Sequence, residues 1–297
     1  MHTLVLALNP SIDVEWRVER VRWEEKNNVE SERRWAGGKG INVARWLRFL
    51  GGQPRLLLPL GGASGQELAS YLSVEKLPVA AVRLQGVTRA NVIVSTAKQG
   101  QLRFNPFGPE LSRAEWRQLL QLAERELRQA DLAVFSGSLP RGLPVDAYAR
   151  LLELAHRAGV KVLLDCDGAA LAAAVRARPF LVKPNEDELA NWRGQRLRTT
   201  GSLRRAALSL SKETGGWVLV SRGAKGAMLV NRCQGYAWSC PAPRVRPLNT
   251  VGAGDAMLAA VARGLALSLP PPDWLHFAVG VASRATQLPA GTLPRKN

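Results

Sequence analysis

The stretch LAVFSGSLPRGLPVDAYARLLELAHRAGVKVLLD, residues 132–165, decides the fold class. Two apolar runs, 132–135 and 160–165, flank the segment 144–159, whose apolar residues recur at helical spacing. A strand, a helix and a second strand in this order form a βαβ unit, because parallel strands need a long crossover connection. This unit predicts a parallel sheet with helices packed on its faces.

The same alternation of strand and helix continues on both sides of this unit. Further strands are predicted at 3–8, 55–60, 180–184, 217–221 and 227–231. Further helices are predicted at 38–51, near 185–191, near 202–213, directly after the GAG of 252–254, and at about 272–288. We therefore predict a doubly wound α/β fold with a mostly parallel sheet flanked by helices, formed by a single domain over residues 1–297.

Two segments depart from this alternation. Residues 12–35 and 89–105 alternate apolar and polar or charged side chains at a period of two. This period is typical of strands with one solvated face. We expect the two segments to form a small β-sheet that acts as a lid over the mouth of a site.

Composition narrows the classes of function. The chain has 297 residues, 46% of them hydrophobic, which suffices for a large core. Its net charge of +17 attracts anions such as nucleotides, sugar phosphates and nucleic acid. The arginines are spread along the chain, however, and we find no dense basic block, zinc-finger or helix-turn-helix pattern. We expect no specific nucleic-acid partner.

Membrane and metal signals are weak. No apolar run reaches the length of a membrane span, and residues 1–16 resemble a first strand rather than a signal peptide. The three cysteines, Cys166, Cys233 and Cys240, are odd in number and lack metal-ligand spacing, which favours reduced thiols in a cytoplasm. We expect a cytoplasmic protein without a membrane partner.

The stretch NTVGAGDAM, residues 249–257, has two interpretations. Its glycines precede a predicted helix, and Asp255 stands in the first turn. An acid in that position can simply complement the helix dipole. Alternatively, the glycines bring backbone N–H groups close to an anion, and Asp255 accepts a proton from an attacking hydroxyl group. This stretch alone leaves both interpretations open.

The stretch AGGKGINVAR, residues 36–45, places three glycines around Lys39 before a predicted helix. It is not a Walker loop, since no Ser or Thr follows the lysine. Close backbone approach to a small ligand is one interpretation, with Lys39 as a cation and Asn42 as a hydrogen-bonding partner for hydroxyl groups. A loop-to-helix turn with a solvated lysine is the other.

Polar residues also follow three predicted strands, at SGSLPRG (136–142), VKPNEDEL (182–189) and SRGAKGAMLV (221–230). Ligands of open α/β sheets bind at the carboxyl ends of strands. Ser138 could therefore donate to a phosphate. The simpler interpretations are a turn for the first stretch and a hairpin for the third.

The second of these stretches carries a candidate for the metal site. Asn185 and Glu188 stand three residues apart on one helical face, where they could orient hydrated magnesium or nucleotide phosphates. Helix capping is the simpler interpretation for Asn185.

Taken together and in this order, these stretches resemble the PfkB-type carbohydrate kinases of the ribokinase fold, over essentially the whole chain. NTVGAGDAM resembles the C-terminal signature of that family and AGGKGINVAR the N-terminal one. LALNPSID, TRANVIV, FNPFGPELS, SGSLPRGLP and LVKPNEDEL resemble the branch that acts on phosphorylated ketohexoses, which includes 1-phosphofructokinase and tagatose-6-phosphate kinase.

The resemblance implies a role for each matching residue on the sugar side. The general base would be Asp255, and the backbone N–H groups facing the migrating phosphoryl group would be those of Gly252, Ala253 and Gly254. The groups holding sugar hydroxyls would be Asp13, Gly38 and Asn42. The phosphate already on the sugar would be bound by Lys39, Arg89, Ser138 and Lys26.

On the nucleotide side, the resemblance implies binding by Lys183, Asn185, Glu188, Ser221 and Gly223. Mg²⁺ would be held by Glu188 and Asn185 through water. ATP and Mg²⁺ are the implied cofactors, and a monovalent cation such as K⁺ is a further candidate. The lid is implied to join two copies of the chain in a homodimer.

The implied reaction is the ATP-dependent phosphorylation of a ketohexose monophosphate, with D-fructose 1-phosphate to fructose 1,6-bisphosphate as the first choice. Tagatose-6-phosphate kinase and 6-phosphofructokinase are alternatives, and a non-catalytic sugar-phosphate sensor is another. The intact GAGD argues against a sensor. The chain departs from many family members at Asn249, where they have Asp, and at Met257, where an aromatic residue is common.

Overall fold

The computed structural model describes residues 1–96 and 100–295. The strands are β1 His2–Leu6, β2 Ser11–Val18, β3 Ser31–Gly37, β4 Gln53–Gly61, β5 Val79–Leu84, β6 Arg89–Thr96, β7 Gly100–Phe104, β8 Leu132–Ser136, β9 Lys161–Asp165, β10 Leu181–Val182, β11 Trp217–Ser221, β12 Ala227–Asn231 and β13 Tyr236–Cys240. The helices are α1 Lys39–Phe49, α2 Gly62–Val74, α3 Arg113–Leu127, α4 Ala147–Arg157, α5 Gly168–Val175, α6 Glu186–Arg193, α7 Thr200–Thr214, α8 Ala253–Ala266 and α9 Pro271–Thr286.

Nine strands form the large sheet, in the order β13-β12-β11-β10-β9-β8-β1-β4-β5. The βαβ unit predicted at 132–165 is present, since β8 and β9 pair in parallel around α4. Strand β12 is antiparallel to β11 and β13. The mostly parallel α/β fold expected from the sequence is therefore confirmed, with β12 as its antiparallel member.

Helices cover both faces of this sheet, so alternate residues of each strand enter different cores. On β1, Val5 packs in the core that holds α1, α8 and α9, while Leu4 and Leu6 pack in the core that holds α3, α4 and α7. Strands buried on both faces contain nearly continuous apolar residues. This explains the uninterrupted runs, such as LAVF, that mark the strands in the sequence.

The two departing segments form a separate four-stranded sheet, in the order β3-β2-β6-β7. Strand β2 pairs antiparallel with β3 and parallel with β6, and β6 pairs antiparallel with β7. The small sheet is thus confirmed, although residues 19–30 form no strand within the segment 12–35. Residues 97–99, inside the segment 89–105, lie outside the described residues.

The small sheet has two unlike faces, as the alternation predicts. Its polar face carries Asp13, Asn91 and Arg103, which line a cavity. On its apolar face, Val14 of β2 is buried in the core, and its cross-strand row continues through Val92 to Phe104 on β7. Leu102 and Phe104 are 38% and 55% exposed, so the apolar face is buried at β2 and open at β7.

Several elements had no prediction from the sequence: α2, β5, α3, α5 and β13. Helix α3 nevertheless carries a clear start signal, because Ser112 and Glu115 form a reciprocal capping box. Among the described residues, no helix has the length and apolar character needed to cross a membrane.

Parallel strands bring their carboxyl ends to one edge of the large sheet. Residues that follow β1, β8, β9, β10 and β11 therefore meet there, although they are far apart in sequence. The polar face of the small sheet lies across the same region, since both sheets contribute to one cavity. The fold thus creates a polar site between the two sheets, as expected for open α/β folds.

Candidate active site

A cavity of about 760 Å³ lies between the large and the small sheet. It is large enough for a drug-sized ligand by the usual range for ligand pockets. Thirteen of the sixteen residues expected at the site line it: Asp13, Gly38, Lys39, Asn42, Arg89, Ser138, Lys183, Asn185, Glu188, Ser221, Gly252, Gly254 and Asp255. The structure therefore brings together residues from both family-like signatures and from the strand ends between them.

Asp255 is buried in the first turn of α8, with 5% of its surface exposed. Its Oδ2 accepts a hydrogen bond of 2.8 Å from Nδ2 of Asn42, which lies on α1. The side chain makes no capping bond to its own helix. The simple capping interpretation is therefore disfavoured, because this carboxylate is directed to another element and to the cavity.

The environment of Asp255 makes its carboxyl group a poised proton acceptor. Burial raises its pKa, the charge of Asp165 raises it further, and the Asn42 hydrogen bond with the charges of Lys39 and Lys183 lowers it, so that it lies at about 6. A general base works best when its pKa is close to the working pH. This carboxylate is ionised at neutral pH and able to accept a proton.

A second buried carboxylate, that of Asp165, lies at the end of β9. One of its oxygens is 3.2 Å from Nζ of Lys183, and the other is 3.4 Å from Nζ of Lys39. Burial opposes its ionisation, but the charges and hydrogen bonds of both lysines outweigh burial and hold its pKa below the ordinary value. Asp165 therefore stays ionised and fixes two cations at the cavity wall.

Lys39 lies among carboxylates. Besides Asp165, its Nζ is 3.9 Å from Oε1 of Glu188. Burial lowers the pKa of Lys39, but Asp165, Glu188 and Asp255 together raise it above its ordinary value. The lysine is therefore a permanent cation. It presents its charge to the cavity close to Asp255, where phosphates of a nucleotide could lie.

Asn185 and Glu188 form a reciprocal capping box at the start of α6. Oδ1 of Asn185 accepts from the Glu188 N–H at 2.7 Å, and Oε2 of Glu188 accepts from the Asn185 N–H at 2.8 Å. The capping interpretation of Asn185 is confirmed. Glu188 keeps its second oxygen, Oε1, on the side of Lys39.

Asp13 of β2 lies on the small-sheet side of the cavity. Its Oδ1 accepts hydrogen bonds of 2.8 Å from both Ser11 and Asn91. Burial raises its pKa, and these two bonds with the charges of Arg89 and Arg45 oppose the shift without cancelling it. A Cβ atom at position 37 would overlap this carboxyl group, so Gly37 makes room for Asp13 rather than for a ligand.

Arg89 and Ser138 are joined through Asn9. The guanidinium of Arg89 donates to the carbonyl oxygens of Pro106 and Asn9, at 2.8 and 3.0 Å, and its Nε is buried with no hydrogen-bond partner among the described residues. Nδ2 of Asn9 donates to Oγ of Ser138 at 3.1 Å. Burial lowers the pKa of Arg89, and the charge of Asp13 opposes this. Arg89 thus has different charged neighbours from Lys39.

Three expected residues are not among those that line the cavity in the described part of the chain. Lys26 is exposed in the connection between β2 and β3. Gly223 is exposed in a short 3-10 turn after β11, and Ala253 is half-buried at the start of α8. Sequence proximity to a motif does not ensure that a side chain faces the ligand, because neighbouring residues point in different directions.

Sequence reasoning missed several lining residues, among them Asn9, Asn91, Asp165 and Asp167. Asp165 directly follows the apolar run VLL of β9, so the rule that polar residues at strand ends form sites could have found it. Asn9 and Asn91 stand inside quoted motifs, where no pattern separates them from their neighbours.

Within residues 1–96 and 100–295, no group of three His, Cys, Asp or Glu side chains is arranged to hold a metal ion. Magnesium usually keeps several waters and binds to one or two carboxylates plus substrate phosphates. Glu188, whose Oε1 is not used in the capping box, and Asp167 line the same cavity and fit such a site, in which the nucleotide would provide further ligands.

Known proteins resemble this chain over nearly its full length. A profile of the family described as pfkB family carbohydrate kinase matches residues 5–296. The 1-phosphofructokinase of Haemophilus influenzae is 34% identical over 282 residues, which is 95% of this chain and 90% of the relative. The ATP-dependent 6-phosphofructokinase isozyme 2 of Escherichia coli is 35% identical over 289 residues, 96% of this chain and 92% of the relative.

Solved structures agree with this relationship. The phosphofructokinase-2 of Escherichia coli in complex with fructose-6-phosphate has a TM-score of 0.87 and 33% identity, covering 96% of this chain and 93% of its own. The Arabidopsis thaliana ribokinase complexed with ribose and ATP has a TM-score of 0.77 and 22% identity, covering 96% and 92%; at this identity the likeness concerns the fold.

Proposed function

This chain belongs to the pfkB family of carbohydrate kinases, and from that premise we propose that it transfers phosphate from ATP to a ketohexose monophosphate. D-fructose 1-phosphate is our first choice of acceptor, with fructose 1,6-bisphosphate as the product. Tagatose 6-phosphate and fructose 6-phosphate are the alternatives. The whole chain would act as one kinase domain, with the small sheet as its lid.

The observation that carries this proposal is the buried Asp255 at the start of α8, with its pKa at about 6. It would take the proton of the acceptor hydroxyl group as that oxygen attacks the transferred phosphorus. Charge on the transferred group would be stabilised by the N-terminus of α8, which has no side-chain cap, whereas α3, α6 and α7 each have a capping box.

The other lining residues would position the two substrates. Asp13, Gly38 and Asn42 would hold sugar hydroxyls, and Arg89 with Ser138 would bind the phosphate already present. Lys183, Asn185, Glu188 and Ser221 would face the nucleotide. Mg²⁺ would be held at Glu188 through water and would neutralise phosphate charge; a monovalent cation such as K⁺ is a further candidate, and a relative from Escherichia coli has a structure with potassium.

The acceptor can be identified by comparing turnover on several sugars and by substituting Arg89. ATP turnover should be measured with fructose 1-phosphate, tagatose 6-phosphate, fructose 6-phosphate and fructose. Losing a charge-assisted bond to phosphate costs about ten- to a hundredfold in kcat/KM. We therefore expect Arg89→Ala to lose that factor on the phosphorylated acceptor and almost nothing on fructose.

Arg83→Ala is the matched control, because Arg83 is exposed on β5 and does not line the cavity. It removes the same charge, and kcat/KM should stay unchanged both on the phosphorylated sugar and on fructose. Equal losses on both sugars in Arg89→Ala would contradict the assignment of a phosphorylated acceptor.

Lys39 has two possible roles, which the same assay separates. Its ion pairs with Asp165 and Glu188 favour a role at the transferred phosphoryl group. In that case Lys39→Ala loses rate equally on fructose and on its phosphate. A loss confined to the phosphorylated sugar would instead support the role at the existing phosphate.

A homodimer through the small sheet is proposed from the exposed part of its apolar face, at β6 and β7. Leu102 and Phe104 stand on that face beside Val94 and Val92, their cross-strand neighbours. Such a surface suits a second copy of the chain. Light scattering should show a dimer that Leu102→Asp dissociates, while Val74→Asp, at an 81% exposed site on α2, leaves it intact. If the Leu102→Asp variant remained a dimer, that result would contradict this interface.

We also propose a cytoplasmic location. The three cysteines are free, and Cys166 and Cys240 are buried apart from one another in separate cores. Unpaired thiols suit a reducing compartment.

A further inference from the structure

A second basic recess lies outside the active site, between α3 and α4. It is an open groove of about 830 Å³ whose wall includes Arg113, Arg117 and Arg150. Trp116 and residues 142–144 complete the lining, and none of these residues lines the active-site cavity. We call this recess the arginine groove.

The arginine groove carries uncompensated positive charge. Arg150 is paired with Asp146, at 3.1 Å. Arg113 and Arg117 have no ion-pair partner in the described ranges, and they stand four residues apart on one face of α3. Like charges at this spacing destabilise a helix slightly, so their arrangement lacks a folding benefit. Two guanidinium groups on one helix face suit an anion with more than one charged oxygen.

Trp116 supplies an independent indication of a ligand. Its side chain lies in the groove wall with 7% of its surface exposed, and its Nε1 is buried with no hydrogen-bond partner in the described part of the chain. Buried indole N–H groups usually find an acceptor, and leaving one unmade costs stability. Because Nε1 has almost no accessible surface, a small shift of the indole would be needed to bring it to an acceptor oxygen of a molecule in the groove.

The opposite wall of the groove is built tightly. Gly142 has a φ of +82°, and a Cβ atom there would overlap the carbonyl oxygen of Leu111. The N–H of Leu111 in turn donates to the carbonyl oxygen of Arg141 at 2.9 Å. The groove is therefore bounded by fixed backbone, which is the kind of preformed recess that small ligands use.

From these features we propose that the arginine groove binds a small polyanionic metabolite, one with at least two phosphate or carboxylate groups. Arg113 and Arg117 contact one anionic group through their guanidinium N–H donors, and the Trp116 N–H donates to an oxygen of the same molecule. The chain after β8 contributes Ser138 to the active-site cavity and residues 142–144 to the groove, so the two sites share one connection.

Arginine labelling tests the proposal residue by residue. Phenylglyoxal modifies exposed guanidinium groups, and peptide mass spectrometry reports each modified arginine. With pyrophosphate as the probe, at about ten times its Kd, we expect modification of Arg113 and Arg117 to slow by about tenfold. Arg204 and Arg205, which are exposed on α7 outside both recesses, should react at an unchanged rate.

Two double variants provide the matched comparison. Arg113→Ala/Arg117→Ala should lose one pyrophosphate-binding event per chain in calorimetry, whereas Arg204→Ala/Arg205→Ala, with the same change in charge, should keep it. Trp116→Phe, which removes the N–H and also makes the ring smaller, should weaken that event by about ten- to a hundredfold, the usual effect of one bond to a charged group.

Unchanged labelling of Arg113 and Arg117, or equal protection of all four arginines, would overturn the proposal, since the second result means general screening of charge. Equal calorimetric losses in both double variants would overturn it as well. Neither measurement uses catalytic turnover, so the outcome is independent of the proposed kinase activity.

Discussion

The end of strand β9 and the start of helix α8 each hold a buried aspartate, yet the pKa values of the two side chains shift in opposite directions. Asp165 is 1% exposed and has a pKa below its ordinary value. Asp255 is 5% exposed and has a pKa raised to about 6. Burial acts in the same direction on both, so burial cannot explain the difference.

The neighbours explain it. Asp165 has a lysine ammonium within 3.4 Å of each oxygen, whereas Asp255 has the neutral amide of Asn42 and is repelled by Asp165 itself. An opposite charge within a few ångströms favours ionisation, and a like charge opposes it. One carboxylate is therefore suited to holding cations and the other to exchanging a proton, and pairs of this kind indicate acid–base roles.

The largest expected effect removes the base. Asp255→Asn keeps the size of the side chain and an acceptor for Asn42 but cannot take a proton. Because general-base catalysis contributes about 10²–10⁴-fold, we expect turnover to fall by that factor while ATP binding, measured by calorimetry, stays nearly unchanged. An Asn variant with more than a tenth of the wild-type turnover would show that Asp255 is not the base.

The next largest effect concerns the stability of the folded protein, and it tests the comparison between Asp165 and Asp255. At pH 7, Asp165→Asn leaves Lys183 buried beside a neutral amide, and breaking a buried ion pair costs about 3–5 kcal/mol. Asp255→Asn removes a charge that its surroundings disfavour, and a shift of about two pKa units corresponds to about 3 kcal/mol. We therefore expect Asp165→Asn to lower the free energy of unfolding and Asp255→Asn to raise it, both measured with urea.

The pH dependence follows from the two shifts. Asp255 has an ordinary pKa of 3.8 and a folded value of about 6, so its favourable contribution is present below about pH 4 and lost as the pH rises through 6. The contribution of Asp165 is present above its ordinary pKa of 3.8 and lost as the pH falls through its lower folded value. The effects of both substitutions on the free energy of unfolding should therefore become smaller at acidic pH. Asp273→Asn, at an exposed site on α9, is the control, and the same sign for both variants would refute the comparison.

The smallest effect concerns a third carboxylate, which is neither fully buried nor held by a short ion pair. Glu188 has a side chain that is 15% exposed, and its contact with Lys39 is 3.9 Å long. Glu188→Gln keeps the capping box, since Gln also fits that position, but removes the charge. We expect a higher Mg²⁺ concentration at half-maximal rate, with little change in sugar affinity.

Asp187→Asn, one residue earlier and exposed, is the matched control for this titration. An unchanged Mg²⁺ dependence in Glu188→Gln would reduce Glu188 to the capping role that the structure already shows.

Local patterns determined the large sheet and most of the site. The runs at 132–135 and 160–165 predict strands because residues buried on both faces must all be apolar, and the glycine-rich signatures mark the starts of α1 and α8. Such signals depend on neighbouring residues, so they can be recognised in the chain alone. Local patterns marked Lys39, Asn42, Ser138 and Asp255, whereas Asp13, Arg89, Lys183 and Ser221 were implied by the family resemblance.

Tertiary structure alone decided three other matters. The small sheet turns its polar face to the cavity, buries Val14 of its apolar face and leaves Phe104 exposed, which depends on packing that alternation does not encode. Asp165 became an anchor for Lys39 and Lys183 because three distant strand and helix ends meet at one edge. The pKa of Asp255 is raised by burial and by Asp165, and it is lowered by the hydrogen bond from Asn42, 213 residues away in the chain. Electrostatic shifts depend on distance in space and on burial, and both arise only when the chain has folded.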